Sequence, residues 1–177
     1  PTVEETEEIA AAAVSAGDAG EVCDLANDNA PGQVVVSGST ATVERAVEIA
    51  GERGVKRCIM LPVSAPFHCS LMQPAADAMA DALGSTIITP PSVPLIANVT
   101  ADEVRVPEKI RNNLIAQVTG RVRWRESMMA LKEKGVDTLV ETGSGKVLSG
   151  LARRIDRELS AVSIQGPEDI ENFLASL

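Results

Sequence analysis

His68 is the only histidine among the 177 residues, and histidine is the side chain whose ordinary pKa suits it to take and return a proton near neutral pH. It lies in Pro62-Val63-Ser64-Ala65-Pro66-Phe67-His68-Cys69-Ser70. This run reads as a loop between a strand and a helix, where α/β folds place catalytic groups. A helix-capping or hydrogen-bonded structural histidine is the plainer reading, and composition alone favours it. Cys23, Cys58 and Cys69 are odd in number, widely spaced and without a CxxC pair. With a single histidine this argues against a disulfide framework and against a zinc site, so no metal is expected. Reduced thiols fit a cytoplasmic protein.

The charged residues point to partners by exclusion. Net charge is −9, which argues against nucleic acid, a ligand that needs a basic footprint. Aromatic residues are 2% of the chain, namely Phe67, Trp124 and Phe173, too few for a base-stacking platform. Two local basic clusters remain: Arg121, Arg123 and Arg125, with Lys132 and Lys134 nearby, and Arg153, Arg154 and Arg157. Either could meet an acidic partner, or could simply be a solvated face. Gly143-Ser144-Gly145-Lys146 follows a predicted strand but is not the G-x-x-x-x-G-K-S/T phosphate loop, since Val147 follows the lysine. It reads as a tight turn feeding a helix. No apolar run approaches the roughly 18 residues of a membrane span, and no basic-then-apolar leader opens the chain at Pro1.

The elements that must position these residues follow from periodicity. Thr2 with Glu5 suggests a capping box before an Ala-rich helix to about Ala16. Val22 to Ala26 reads as a strand, and Asn27-Asp28-Asn29-Ala30-Pro31-Gly32 as a turn. Gln33 to Ser37 is a β-branched strand, Ala41 to Arg53 an amphipathic helix, and Lys56 to Leu61 a strand. Residues 1–61 thus match the β-α-β-β-α-β ferredoxin-like unit with its first strand missing, which suggests sequence upstream. Beyond it, helices are expected over 71–83, 107–118, 124–134, 145–158 and 167–177. Strands are expected near 86–88, 94–99, 136–141 and 161–164. The alternation indicates an α/β layer with a mostly parallel sheet, giving a small subdomain over 1–61 and a second domain over 62–177.

Four ordered segments carry a resemblance. Ser64-Ala65-Pro66-Phe67-His68-Cys69-Ser70-Leu71-Met72 closely resembles the histidine motif of bacterial malonyl-CoA:acyl carrier protein transacylases. Asn27 through Gly38 is similar to that family's asparagine-rich turn and following strand. Asn98-Val99 with Gln117, seven residues before Trp124, resembles the segment that positions the histidine. Glu141 through Leu151 resembles the late glycine turn. The likeness covers nearly the whole chain. It implies that residues 62–177 are the C-terminal part of an α/β-hydrolase-like catalytic domain. It also implies ping-pong transfer of malonyl from malonyl-CoA to the phosphopantetheine thiol of acyl carrier protein, in fatty acid synthesis, with no cofactor. His68 would be the base and the Gln117 backbone carbonyl would hold its ring. Asn27 and Asn29 would face the cleft. Phe67 would crowd an α-methyl branch and favour malonyl over methylmalonyl. Arg121 and Arg123 are candidates for meeting the carrier protein.

One departure matters most. No G-x-S-x-G nucleophile elbow occurs in the sequence. The family's serine, its carboxylate-binding arginine and its oxyanion-hole loop would all precede Pro1. The expectation is a chain that supplies the histidine but not the serine, inactive alone and completed by an upstream part of the same enzyme. The alternative is a non-catalytic carrier-binding module on the same scaffold. A severed domain should expose apolar surface at its cut face, whereas a binding module should have closed that face with polar residues.

Overall fold

Thr2 opens the first helix, α1 (Val3–Ser15), with the reciprocal pair its spacing predicts. The Glu5 N–H donates to Thr2 Oγ1 at 3.1 Å, and the Thr2 N–H donates to Glu5 Oε2 at 2.8 Å. Thr6, Ile9, Ala10 and Ala13 fall on one face of α1 and are buried. Ile9, Ala10 and Ala13 pack against Ala46 and Ala50 of α2 (Thr40–Glu52) and against Cys23 of the first strand. The small alanines let the two helices approach closely over a hairpin. In the computed structural model, which describes residues 1–176, these elements begin the first of two compact units, 1–127; the second begins at Met128.

The hairpin pairs β1 (Cys23–Ala30) with β2 (Gln33–Gly38) in antiparallel register, Cys23 opposite Gly38 and Ala30 opposite Gln33. The expected turn over 27–32 is therefore corrected. Only Pro31-Gly32 turns, with Gly32 at φ +72°, and Asn27 to Ala30 continue the strand with two register shifts. Tertiary partners override the turn propensity here. The Asp28 N–H donates to the Val122 carbonyl at 2.9 Å, and the Val122 N–H donates to the Ala26 carbonyl at 2.8 Å. At the far end of β2 a Cβ on Gly38 would lie 1.9 Å from the Val22 carbonyl oxygen, so only glycine lets that strand close on residue 22.

A long connection follows α2. Residues 56–61 were expected to be a strand, but they form no ladder and are exposed. The stretch at 86–88 likewise has no ladder. A strand is defined by its partner, and neither stretch has one among the described residues. A 3-10 turn (Ser70–Met72) leads into α3 (Gln73–Gly84), which packs on α4 (Pro107–Thr119). Between them β3 (Leu95–Ala97) and β4 (Asp102–Val104) form a short antiparallel hairpin. Its Ala97 and Val104 bury against Ile110. The sequence reading had no strand at 102–104.

Helix α5 (Trp124–Glu133) runs across the division between the units. The second unit holds β5 (Thr138–Thr142), α6 (Val147–Ile155), β6 (Ser160–Ile164) and α7 (Pro167–Leu174). Strands β5 and β6 are parallel, in register from Thr138–Ser160 to Thr142–Ile164, so β5-α6-β6 is a crossover unit. The chain is α/β as expected, but the expected mostly parallel sheet is not what forms. Among the described residues there are three two-stranded sheets, two of them antiparallel.

Candidate active site

The histidine loop is held in an unfavourable shape. His68 has φ +59°, a left-handed conformation that costs a non-glycine residue about 1–2 kcal/mol and persists only where its surroundings over-determine it. Several contacts do so. Cys69 is fully buried, and its Sγ donates to the Pro66 carbonyl at 3.1 Å. The Phe67 N–H donates to the Ala65 carbonyl at 3.0 Å, and the Met72 N–H to the Cys69 carbonyl at 3.0 Å. The Ser70 N–H and Oγ both donate to Asp24 Oδ2, each at 2.8 Å.

The imidazole is half-buried, and Nδ1 lies 3.0 Å from the Gln117 backbone oxygen. Gln117 is in the last turn of α4, where carbonyls lack a helical N–H partner and remain free to accept. A carbonyl oxygen only accepts, so this contact requires the proton on Nδ1 and leaves Nε2 with its lone pair. The Gln117 side-chain nitrogen, 3.3 Å from the same Nδ1, then has no lone pair there to donate to. Among the described residues no hydrogen bond engages Nε2. The arrangement can thus do one thing chemically: present a basic ring nitrogen fixed in direction by a neutral acceptor. Helix α4 must end sharply to hold Gln117 there. It does so at Gly120, where a Cβ would stand 2.7 Å from the Ala116 oxygen and 3.0 Å from Val99 Cγ2.

Residues 121–123 bind the first strand to the histidine side of the unit. Beyond the Val122 contacts with β1, the Arg123 N–H donates to the Asn98 carbonyl at 3.0 Å. The three arginines are all paired. Arg121 meets Glu7 at 3.1 Å, Arg123 meets Glu126, and Arg125 grips Asp28 through Nη2 at 2.8 Å and Nε at 3.0 Å. Asp28 is 2% exposed, so Arg125 is a structural cation. Arg121 and Arg123 line a groove of about 520 Å³ with Glu7, Asp24 and Val99. Cys23 is also on its wall; burial, with help from Asp24 and Cys69, pushes that thiol up to about 11. Cys23 is therefore inert as a nucleophile near neutral pH.

The structure brings His68 and Gln117 together and gathers Arg121 and Arg123 around the groove. Asn27 and Asn29 alternate with buried Ala26, Asp28 and Ala30 along β1. Neither asparagine side chain forms a hydrogen bond to a described residue. Phe67 is 47% exposed beside the histidine. Sequence reasoning missed Asp24 and Asp28. Asp24 carries no local signal, because its partner is 46 residues away. Asp28 was hidden among turn-forming residues. In the second unit the N–H groups at the start of α6 that could have met a phosphate are already taken. The Glu141 carboxylate already accepts from the N–H groups of Leu148 at 3.0 Å and Ser149 at 2.8 Å, and from Ser149 Oγ at 2.6 Å. Among the described residues no group of His, Cys, Asp and Glu could hold a metal ion, and no helix is long and apolar enough to cross a membrane.

No protein-family model matches the chain. Curated and solved relatives do. Over 158 residues it is 44% identical to the malonyl CoA-acyl carrier protein transacylase of Bacillus subtilis, covering 89% of this chain and 50% of that protein. The acyl-carrier-protein S-malonyltransferase of Bartonella henselae superposes with a TM-score of 0.92 at 49% identity, over 99% of this chain and 55% of that one. A malonyl-transacylase solved in complex with a type II PKS acyl-carrier protein gives 0.93 at 34% identity, over 100% and 56%. The fold is that shared by a class of acyltransferases. More particularly, the chain is related to the malonyl-CoA:acyl carrier protein transacylases, and it spans about half the length of the curated relatives it matches.

Proposed function

We propose that this chain is the histidine-bearing, C-terminal part of a malonyl-CoA:acyl carrier protein transacylase, and that the rest of the enzyme supplies the nucleophile. The observation that carries the proposal is the His68 Nδ1 contact with the Gln117 carbonyl at 3.0 Å. It fixes the tautomer that leaves Nε2 able to take a proton. A serine hydroxyl from outside this chain attacks the thioester carbonyl of malonyl-CoA as Nε2 removes its proton. The coenzyme A sulfur leaves and takes that proton. The phosphopantetheine thiol of the carrier protein then gives its proton to Nε2 and attacks the malonyl-serine ester, and the serine oxygen is reprotonated as it departs. A neutral carbonyl in place of a carboxylate orients the ring without adding charge beside it.

Within this reading Phe67, Asn27 and Asn29 line the acyl end of the cleft, and Arg121 and Arg123 face the carrier. The partition into a ferredoxin-like subdomain over 1–61 and an α/β-hydrolase-like part over 62–177 is part of the same proposal, as is a cytoplasmic site of action. Exposed Ile59, Met60, Leu61 and Val63 support a chain with a further part to bury them. They weigh against the non-catalytic module, whose surface would be closed with polar groups.

The test is transfer from malonyl-CoA to carrier protein by the full-length enzyme carrying His68→Ala. A positioned general base contributes about 10²–10⁴ in rate, so the rate should fall at least a hundredfold with the fold retained. The 177-residue chain alone should release no coenzyme A at an enzymatic rate. Wild-type transfer by the variant, or turnover by the chain alone, would refute the reading.

A further inference from the structure

We propose that Asp24 is a positioning residue for His68, its carboxylate clamping Ser70 so that the histidine loop keeps the backbone shape that brings Nδ1 to the Gln117 carbonyl. The inference rests on reading His68 as the base, and it adds a residue that the resemblance does not include.

The loop has few holds. Upstream, residues 59–63 are exposed, and their one backbone hydrogen bond, from the Val63 N–H to the Leu61 carbonyl at 2.8 Å, is internal to the run, so no other described element holds the chain as it enters. The contact between Cys69 and Pro66 is internal to the loop and moves with it. Among the described residues, side-chain or carbonyl acceptors from other elements hold the loop at two points: Gln117 on α4, which grips the imidazole itself, and Asp24 on β1. One Asp24 oxygen receives both the N–H and the hydroxyl of Ser70, two residues beyond the histidine. It thereby fills the first N–H of the 3-10 turn that leads into α3, where a negative charge is also favoured. Strand β1 is in turn tied to the chain leaving α4 by the Val122 contacts, and residues 121–123 to Asn98. Asp24 and Gln117 therefore stand on one connected frame, and the loop is stretched between them. Deleting Asp24 hands the Ser70 N–H to water. The left-handed His68 then loses the hold on the far side of its loop, and relaxation of its φ shifts Nδ1 away from the Gln117 oxygen.

The sole histidine makes the readout unambiguous. Nitrogen-15 long-range NMR of the labelled 177-residue chain reports the ring tautomer at about pH 8.5, two units above the ordinary imidazole value of about 6.5. The wild-type chain should show the Nδ1–H form in large excess. Asp24→Ala should lose that excess, with exchange of the ring N–H with water at least tenfold faster. Asp24→Asn and Ser70→Ala, which weaken the clamp without emptying the site, should fall between. Circular dichroism and melting confirm that each variant is folded. Ring spectra matching wild type in all three variants, or in the two milder ones if Asp24→Ala does not fold, would overturn the proposal. A wild-type chain lacking the Nδ1–H excess would instead remove the underlying histidine–glutamine reading, whatever the variants do.

Discussion

At the scale of single residues the buried charge is the most exacting feature. Asp28 is 2% exposed and is held by both Nε and Nη2 of Arg125. Removing one partner of a buried pair leaves an uncompensated charge and costs about 3–5 kcal/mol. Arg125→Ala should lower the urea unfolding free energy by that amount, and Arg125→Lys by less, since lysine lacks the two-pronged geometry. A loss below about 1 kcal/mol would mean that water reaches Asp28. Phe67 belongs to the same scale. In the full-length enzyme Phe67→Ser should raise kcat/KM for methylmalonyl-CoA relative to malonyl-CoA by about tenfold, as one relieved contact of about 1–3 kcal/mol allows. Unchanged discrimination would leave Phe67 as loop packing. The contact of the His68 ring with the Gln117 carbonyl was legible only through the resemblance, because no local pattern marks Gln117 as more than a helix residue. Asp24 and Asp28 were not legible, since each is defined by a partner 46 or 97 residues away.

At the scale of elements, helices were read closely and strands loosely, for one physical reason. A helix satisfies its own hydrogen bonds, so the capping box at Thr2 and the buried spacing Ile9-Ala10-Ala13 suffice to place α1. A strand needs an edge, and the turn-rich Asn27–Ala30 became strand because residue 122 supplies one. Helix α6 shows a start that sequence could not display, capped by Glu141 from the preceding strand and not by its own flanking residue. The Ser149 hydroxyl first, and then its N–H, hold the Glu141 carboxyl below its ordinary value of 4.5. A depressed carboxyl contributes stability that is complete above its unfolded value and is lost as pH falls through the folded one. The stability gap between wild type and Glu141→Gln should therefore be constant above about pH 5.5 and close below about pH 4.5, as unfolding curves across that range would show. A gap that widens in acid would contradict the cap. Gly38→Ala tests the hairpin. Its Cβ would meet backbone and not a yielding side chain, so a loss of about 1–3 kcal/mol is expected, read by thermal melting.

At the scale of the molecule the open question is what covers residues 59–63. Ile59 and Val63 are each 60% exposed, with Met60 and Leu61 above half. The run from Lys56 to Leu61 ends in four apolar residues, Cys58 to Leu61, but has no ladder among the described residues. A sequence that commits so many apolar side chains to one short stretch is written for burial. The proposed function says the buried state exists in the full-length enzyme, which predicts opposite consequences for one pair of substitutions in two contexts. Ile59→Lys with Leu61→Lys should leave the melting temperature of the 177-residue chain unchanged and reduce its binding of a hydrophobic dye, because the side chains already face water. In the full-length enzyme the same pair should forfeit about 1.5–3 kcal/mol for each side chain no longer buried, seen as a lower melting temperature and lost transfer activity. Destabilisation in the chain alone would show the run to be packed already. Neutrality in both contexts would show that the surface stays open in the enzyme, and the part proposed to cover it would have to lie elsewhere.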